Sequence, residues 1–287
     1  MTSSLPLFIA EVSSNHGQDL RRAKEFIKVS KEIGCDAVKF QLFKIDQLFA
    51  PEILNKSVEH RKRKQWELPV AFLPELSSYA HEQGLKFTCT PFYLEAVTEL
   101  EPYVDFYKIA SYELLWDELI IKCAKTGKDL ILSTGMATLD EIQHAVEVFK
   151  QHSSANLTLL HAISGYPTPI NEANVKAIAT INSASSCDTG LSDHSVSPAV
   201  LLRATHRWGA KVIEFHLDLD GQGEEFAAGH CWLPDAIKNT ISLVKEGFVA
   251  DGSGEKQPAA SEQVDRVWRA DPSDGLRPFK SIRNSFE

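Results

Sequence analysis

Short apolar runs recur along the chain, and each closes on a polar or charged side chain. They read LFIAEV, AVKFQL, KFTCTP, FYKIAS, LILSTG, LTLLHA, DTGLSDH and VIEFHLD. Stretches with helical periodicity separate them. Eight strands alternating with helices predict an α/β fold, a (β/α)8 TIM barrel, whose active site gathers at the C-terminal strand ends. The polar residues fall at those ends: Glu11, Lys39 and Gln41, Thr90, Lys108 and Ser111, Ser133, His161, His194, and Glu214 and His216. Lys39 and Gln41 are two residues apart on one strand, as are Glu214 and His216 on another. Such a pair shares a face, and in a barrel strand packed against helices that face is the lumen.

Between the strands, the pattern predicts a helix from about Asp19 to Ile33, stopped by Gly34. Another spans about Trp116 to Thr126 and stops at Gly127, and a last one runs from about Pro234 to Gly247. Thr138-Leu139-Asp140-Glu141 reads as a capping box. A long insertion, Phe43 to about Pro69, carries the basic run His60-Arg61-Lys62-Arg63-Lys64. Insertions of this length are lids, binding loops or disordered segments. The catalytic barrel is expected over residues 1–250, and an extended C-terminal tail over 251–287.

Composition narrows the function. The formal net charge of -9 at pH 7 opposes non-specific nucleic-acid binding, so an anionic substrate needs local lysine or arginine. No apolar stretch approaches the ~20 residues of a membrane span, and no signal-peptide core follows Met1. The five cysteines are widely spaced and form no CxxC pair, which reads as reduced thiols in a cytoplasmic enzyme.

The candidate chemistry has competing explanations. His194 and His216 end consecutive strands, which in a barrel lie ~4.8 Å apart. They can share a divalent metal or simply be hydrogen-bonded histidines. Lys39 and Lys108 interrupt apolar strands. They can hold a phosphate or carboxylate, pair with Glu11 or Glu214, or serve as a Schiff-base lysine. Thr90, Ser111, Ser133 and Ser192 can turn hydroxyls toward the same anion or cap helices. Glu11 can act as general acid or base, or as partner to Lys39. Tyr166 lies in the rigid turn Tyr166-Pro167-Thr168-Pro169 and can line the pocket mouth.

From about Leu7 to Gly247 the chain resembles the sialic acid synthase family. The resemblance rests on IAEVSSNHG, AVKFQ, FTCTPF, YKIAS, LSTGM, HAISGYPTP, GLSDH and the IEFH strand, in that order. It implies condensation of phosphoenolpyruvate with an N-acetylated aldose such as N-acetylmannosamine, giving a nonulosonic 2-keto acid and phosphate. It further implies a divalent metal, Mn²⁺ or Mg²⁺, on His194 and His216. Phosphoenolpyruvate would meet Lys39, Thr90, Lys108, Ser111, Ser133 and Ser192, and the amino sugar Glu11, Gln41 and Tyr166. Glu11, Lys39, Lys108, His194 and His216 become the expected catalytic set, in a homodimer.

The chain departs from the family pattern in three places. The family's C-terminal antifreeze-like domain, which lends an arginine to a partner's sugar site, has no counterpart after Gly247; Arg266, Arg269 or Arg277 could substitute. Phe215 stands where a basic residue usually precedes the strand-eight histidine. The loop Gly221 to Glu225, followed by Gly229-His230, is also unusual, with Glu225 a candidate for the family's sugar-contacting acid. A lysine-imine aldolase or lyase, and a non-catalytic regulatory barrel in surface-polysaccharide biosynthesis, are the alternative readings.

Overall fold

The computed structural model describes residues 5–285, so the outer ends of both expected domains, residues 1–4 and 286–287, lie outside it. Eight parallel strands form in chain order: β1 (Leu7–Glu11), β2 (Ala37–Leu42), β3 (Lys86–Pro91), β4 (Phe106–Ile109), β5 (Leu130–Ser133), β6 (Leu157–Ala162), β7 (Asp188–Asp193) and β8 (Val212–Leu217). Each pairs with the next, and β8 pairs with β1, which closes the barrel. A short β9 (Cys231–Trp232) adds to β8, with His216 opposite Cys231.

Helices cover the outside: α1 (Leu20–Glu32), α2 (Leu73–Glu82), α3 (Leu94–Leu100), α4 (Asp117–Lys125), α5 (Leu139–His152), α6 (Ala177–Ser185), α7 (Pro198–Leu202) and α8 (Pro234–Asp251). Local chemistry sets their ends. The Asp19 side chain accepts from the backbone N–H groups of Arg21 and Arg22 at the start of α1, and Thr138 and Glu141 form the capping box of α5. Both devices satisfy N–H groups that the first helical turn leaves without partners.

Strand alternation divides the lumen into layers. Ile9, Ala37, Phe106, Ile131, Leu160 and Val212 form a buried apolar plug. Two residues further along five of these strands stand Glu11, Lys39, Lys108, Ser133 and Glu214, all buried. The period of two therefore carries each strand from hydrocarbon floor to polar ceiling.

Gly190 on β7 shows how tightly the wall closes. A Cβ there would stand 2.2 Å from the Val212 backbone carbonyl oxygen, which cannot move without shifting β8. Gly190→Ala should destabilise the fold by at least about 1–3 kcal/mol, the usual range for overpacking. Urea denaturation should show a lower midpoint at unchanged slope.

The insertion after β2 is ordered. It winds into Ile45–Leu48, Pro51–Lys56 and Val58–Lys62, followed by a 3-10 turn Arg63–Trp66. Val249–Glu287 gathers into a second compact unit, the first being Met1–Phe248. Its turns are tied locally: Arg283 bonds Asp274 at 2.5 and 2.8 Å, and Asp271 accepts from the Ser273 and Lys280 backbone N–H groups. Polar groups thus fold a segment with little apolar core. Within this unit Arg269 lies over the Phe279 ring and donates to the Arg266 carbonyl. No helix among the described residues is long and apolar enough to cross a membrane.

Candidate active site

Above the polar layer lies a cavity of about 790 Å³. Lys39, Gln41, Lys108, Ser111, Ser133, Tyr166, Ser192, His194 and His216 all line it. Glu11 and Thr90 are wholly buried and sit against Lys39 rather than on the cavity wall. The barrel therefore brings all eleven residues into one neighbourhood, nine as lining and two as support. Register explains the grouping, since Glu11 lies opposite Lys39 on one side and His216 on the other, and Ser192 lies opposite Glu214.

The floor is a buried ionic network. Lys39 Nζ contacts the Glu11 carboxylate, lies 3.7 Å from Glu214 Oε1, and donates to Thr90 Oγ1 at 3.4 Å. Lys108 Nζ lies 3.6 Å from Glu214 Oε1 and donates to the Ile109 carbonyl at 3.1 Å. Ser192 donates to Glu214 at 3.2 Å, and Gln41 to Glu11 at 2.9 Å.

The two lysines titrate apart. Burial opposes the charge on Lys39, but Glu11 and Glu214 outweigh it and raise its pKa. Burial also opposes the charge on Lys108. Glu214 supports that charge, Lys39 repels it, and the pKa falls to about 8. Lys108 is thus the cation short of negative charge, which an entering anion would supply. Ser133 Oγ is buried without a partner in the same cavity wall.

The histidines stand beside this floor, with ring centroids 5.4 Å apart. His194 Nδ1 meets the Ile163 carbonyl at 2.8 Å. A carbonyl only accepts, so Nδ1 carries the proton and Nε2 keeps its lone pair. His216 Nδ1 meets Glu225 Oε2 at 2.7 Å, which leaves its Nε2 available in the same way. Metal-binding histidines are oriented by such outer partners, so this donor set fits a divalent cation. Burial and the nearby His216 charge push His194 down to about 3. Burial opposes the charge on His216 too, yet the Glu225 carboxylate raises its pKa above the ordinary value.

The match of the NeuB family profile spans residues 26–256. The chain belongs to the NeuB family. The N,N'-diacetyllegionaminic acid synthase of Campylobacter jejuni is 36% identical over 272 residues, covering 90% of this chain and 80% of that protein. The pseudaminic acid synthase of Helicobacter pylori is 31% identical over 265 residues, covering 88% and 77%. A solved N-acetylneuraminic acid synthetase from Leptospira borgpetersenii, in complex with citrate, superposes with a TM-score of 0.81 at 29% identity, over 92% of this chain and 90% of that one. This chain is an enzyme of that sialic acid synthase-like group.

Glu113, Arg63 and His230 also line this NeuB-family cavity, outside the strand ends. Glu113 ends a 3-10 turn (Ser111–Glu113) after β4, and its Oε2 is buried without a partner. Burial raises its pKa to about 7, against the opposing pull of Lys108. Its position two residues beyond Ser111 was the available signal. Arg63 lies over Phe49 at 5.5 Å and Trp66 at 5.4 Å in the cavity wall, whereas Arg61, Lys62 and Lys64 face solvent. Glu214, which shares its strand face with His216, lines the cavity as well. His230 reaches the cavity through a loop of unusual sequence.

His161 differs from the other strand-end residues. His161 lies on the face of β6 opposite Leu160, outside the cavity lining, with Nε2 against the Ala173 carbonyl at 2.9 Å. The alternation that turns Leu160 inward turns His161 outward. Phe215 likewise packs in the outer core between the inward Glu214 and His216. Glu225, the candidate sugar contact, accepts from His216, Ser13 and Ser14.

Proposed function

We propose that this enzyme condenses phosphoenolpyruvate with an N-acetylated aldose of the N-acetylmannosamine kind, giving a nonulosonic 2-keto acid and inorganic phosphate. The observation that carries the reading is one cavity in which two buried lysines and an unpartnered serine hydroxyl stand beside two oriented imidazoles. Anionic and carbonyl partners can be held there side by side.

Lys39 and Lys108 hold the phosphate and carboxylate charges, with Thr90, Ser111, Ser133 and Ser192 as hydroxyl donors around them. Gln41, Tyr166 and Glu11 attend the acceptor. Mn²⁺ or Mg²⁺ on His194 and His216 would supply Lewis-acid polarisation of the acceptor carbonyl. Carbon 3 of phosphoenolpyruvate bonds to the aldehyde carbon as the C=O π bond breaks and its oxygen takes a proton from solvent; water adds at carbon 2, and the carbon 2–oxygen bond to phosphate breaks as the keto group forms. Glu113, buried and near neutrality, takes the proton from that water. Imine chemistry needs a neutral amine, and the Glu11 partnership opposes it at Lys39.

Catalysis is assigned to residues 1–250, in a cytoplasmic homodimer. The five cysteines are free and buried, as a reducing compartment permits, and two-fold pairing is the default symmetry.

Phosphate release tests the function. It should require phosphoenolpyruvate, a divalent ion and an N-acetylated aldose together. Equal release without any aldose would overturn the reading. The pH profile gives a second check. The kcat/KM for phosphoenolpyruvate should rise through about pH 7 as Glu113 loses its proton and fall through about pH 8 as Lys108 loses its own. Glu113→Gln should abolish the acid limb and leave the alkaline one.

A further inference from the structure

The insertion after β2 brings a third cation to the cavity. Lys39 and Lys108 stand on the floor, where Glu11 and Glu214 balance their charge. Arg63 stands in the wall with Phe49 and Trp66. Its guanidinium lies 5.5 Å from the Phe49 ring centre and 5.4 Å from that of Trp66, within cation–π range of both. Its Nε is buried and has no hydrogen-bond partner. Among the described residues no carboxylate forms an ion pair with Arg63. Two acids of the same cavity are engaged elsewhere, Glu214 with the lysines and Glu225 with His216. A half-buried guanidinium without a counter-charge is costly, and an anion from outside would relieve it.

The insertion fixes this arginine before any ligand arrives. Gln18 donates to the Lys64 and Glu67 carbonyls at 3.3 and 2.9 Å, which fastens the turn Arg63–Trp66 to the loop after β1. Glu67 Oε1 accepts from the Ile45 backbone N–H at 2.8 Å and ties the end of the insertion to its start. An arginine held in this way loses little freedom on binding, and its planar fork suits a phosphate or carboxylate. The chain leaves β2 just beyond Gln41, so Arg63 belongs to the cavity mouth, on the acceptor's side, and phosphoenolpyruvate to the floor lysines. Arg61, Lys62 and Lys64 face solvent beside it. They give a chain of net charge -9 a positive rim, which would draw an anion inward.

We propose that the acceptor is itself an anion: an N-acetylated aldose with a phosphate ester or carboxylate at the end remote from its aldehyde, bound there by Arg63. The proposal rests on the condensation reading above and narrows its acceptor.

Kinetics with three acceptors test this: N-acetylmannosamine, its 6-phosphate, and the sugar with a carboxylate at carbon 6. Wild-type kcat/KM should be about 10–100-fold higher for at least one of the two anions than for the neutral sugar, the gain expected of charge-assisted hydrogen bonds. The anion that gains names the group. Arg63→Gln should bring that ratio close to one, and Arg63→Lys, which keeps the charge without the fork, should retain part of it. A wild-type enzyme that uses the neutral sugar as well as either anion overturns the proposal without recourse to any variant, and leaves the condensation standing. A preference that survives Arg63→Gln also overturns it, as does a loss confined to the KM for phosphoenolpyruvate. Condensation with none of the three acceptors overturns both the proposal and the reading beneath it.

Discussion

His194→Ala should lower the rate of phosphate release by about 10³-fold or more, the scale expected when electrophilic stabilisation of a reacting oxygen is lost. The residue is 5% exposed, and its ring donates from Nδ1 to the Ile163 carbonyl. Burial holds it neutral at working pH, so Nε2 is a ligand ready for a cation without first losing a proton. Chelation of the wild-type protein should produce the same loss. Added Mn²⁺ should restore the wild type and fail to restore the variant. His161→Ala is the matched control, because His161 is a comparably buried strand-end histidine whose Nε2 engages Ala173 outside the cavity. Its turnover should stay near wild type even if its melting temperature falls. Equal losses in the two variants would mean that only packing was being measured.

Lys39→Met should be the most destabilising single change in the polar layer. The ammonium is in contact with Glu11, lies 3.7 Å from Glu214, and its side chain is 4% exposed. Methionine fills much the same space but leaves Glu11 facing the interior without its cation. Removing one member of a buried pair typically costs about 3–5 kcal/mol, because the other charge remains uncompensated. Urea denaturation should show that loss. Adding Glu11→Gln should recover part of it, so the double-mutant cycle should show a coupling of about 1–3 kcal/mol. Additive effects would mean that the pair does not interact as the geometry implies.

These two cases show where the sequence was informative. Strand ends were legible because period-two alternation places apolar and polar residues on opposite sides of a barrel wall. Lys39 with Gln41, and Glu214 with His216, could be assigned to the lumen before any coordinates. The same rule should have excluded His161, which is one residue out of phase with the inward Leu160.

Loop residues were harder. Glu113 sits in a turn, so no periodicity reports its direction, and its raised pKa comes from burial that only the folded barrel creates. Glu225 and His230 reach the cavity through a short helical turn, Glu224–Ala227, and the β9 pairing. Neither feature has a strand-like pattern long enough to read. The C-terminal segment carries equally little periodicity. Asp271, Asp274 and Arg283 tie it by local polar contacts, which leave no apolar pattern in the sequence.

The central claim is that this cavity joins phosphoenolpyruvate to an amino-sugar aldehyde. The most direct test is mass spectrometry of the products from phosphoenolpyruvate, Mn²⁺ and a panel of N-acetylated aldoses. The account predicts one new 2-keto acid, of mass equal to the aldose plus pyruvate, formed in equal amount with phosphate. Phosphate accompanied by free pyruvate and no adduct, whichever aldose is present, would contradict it.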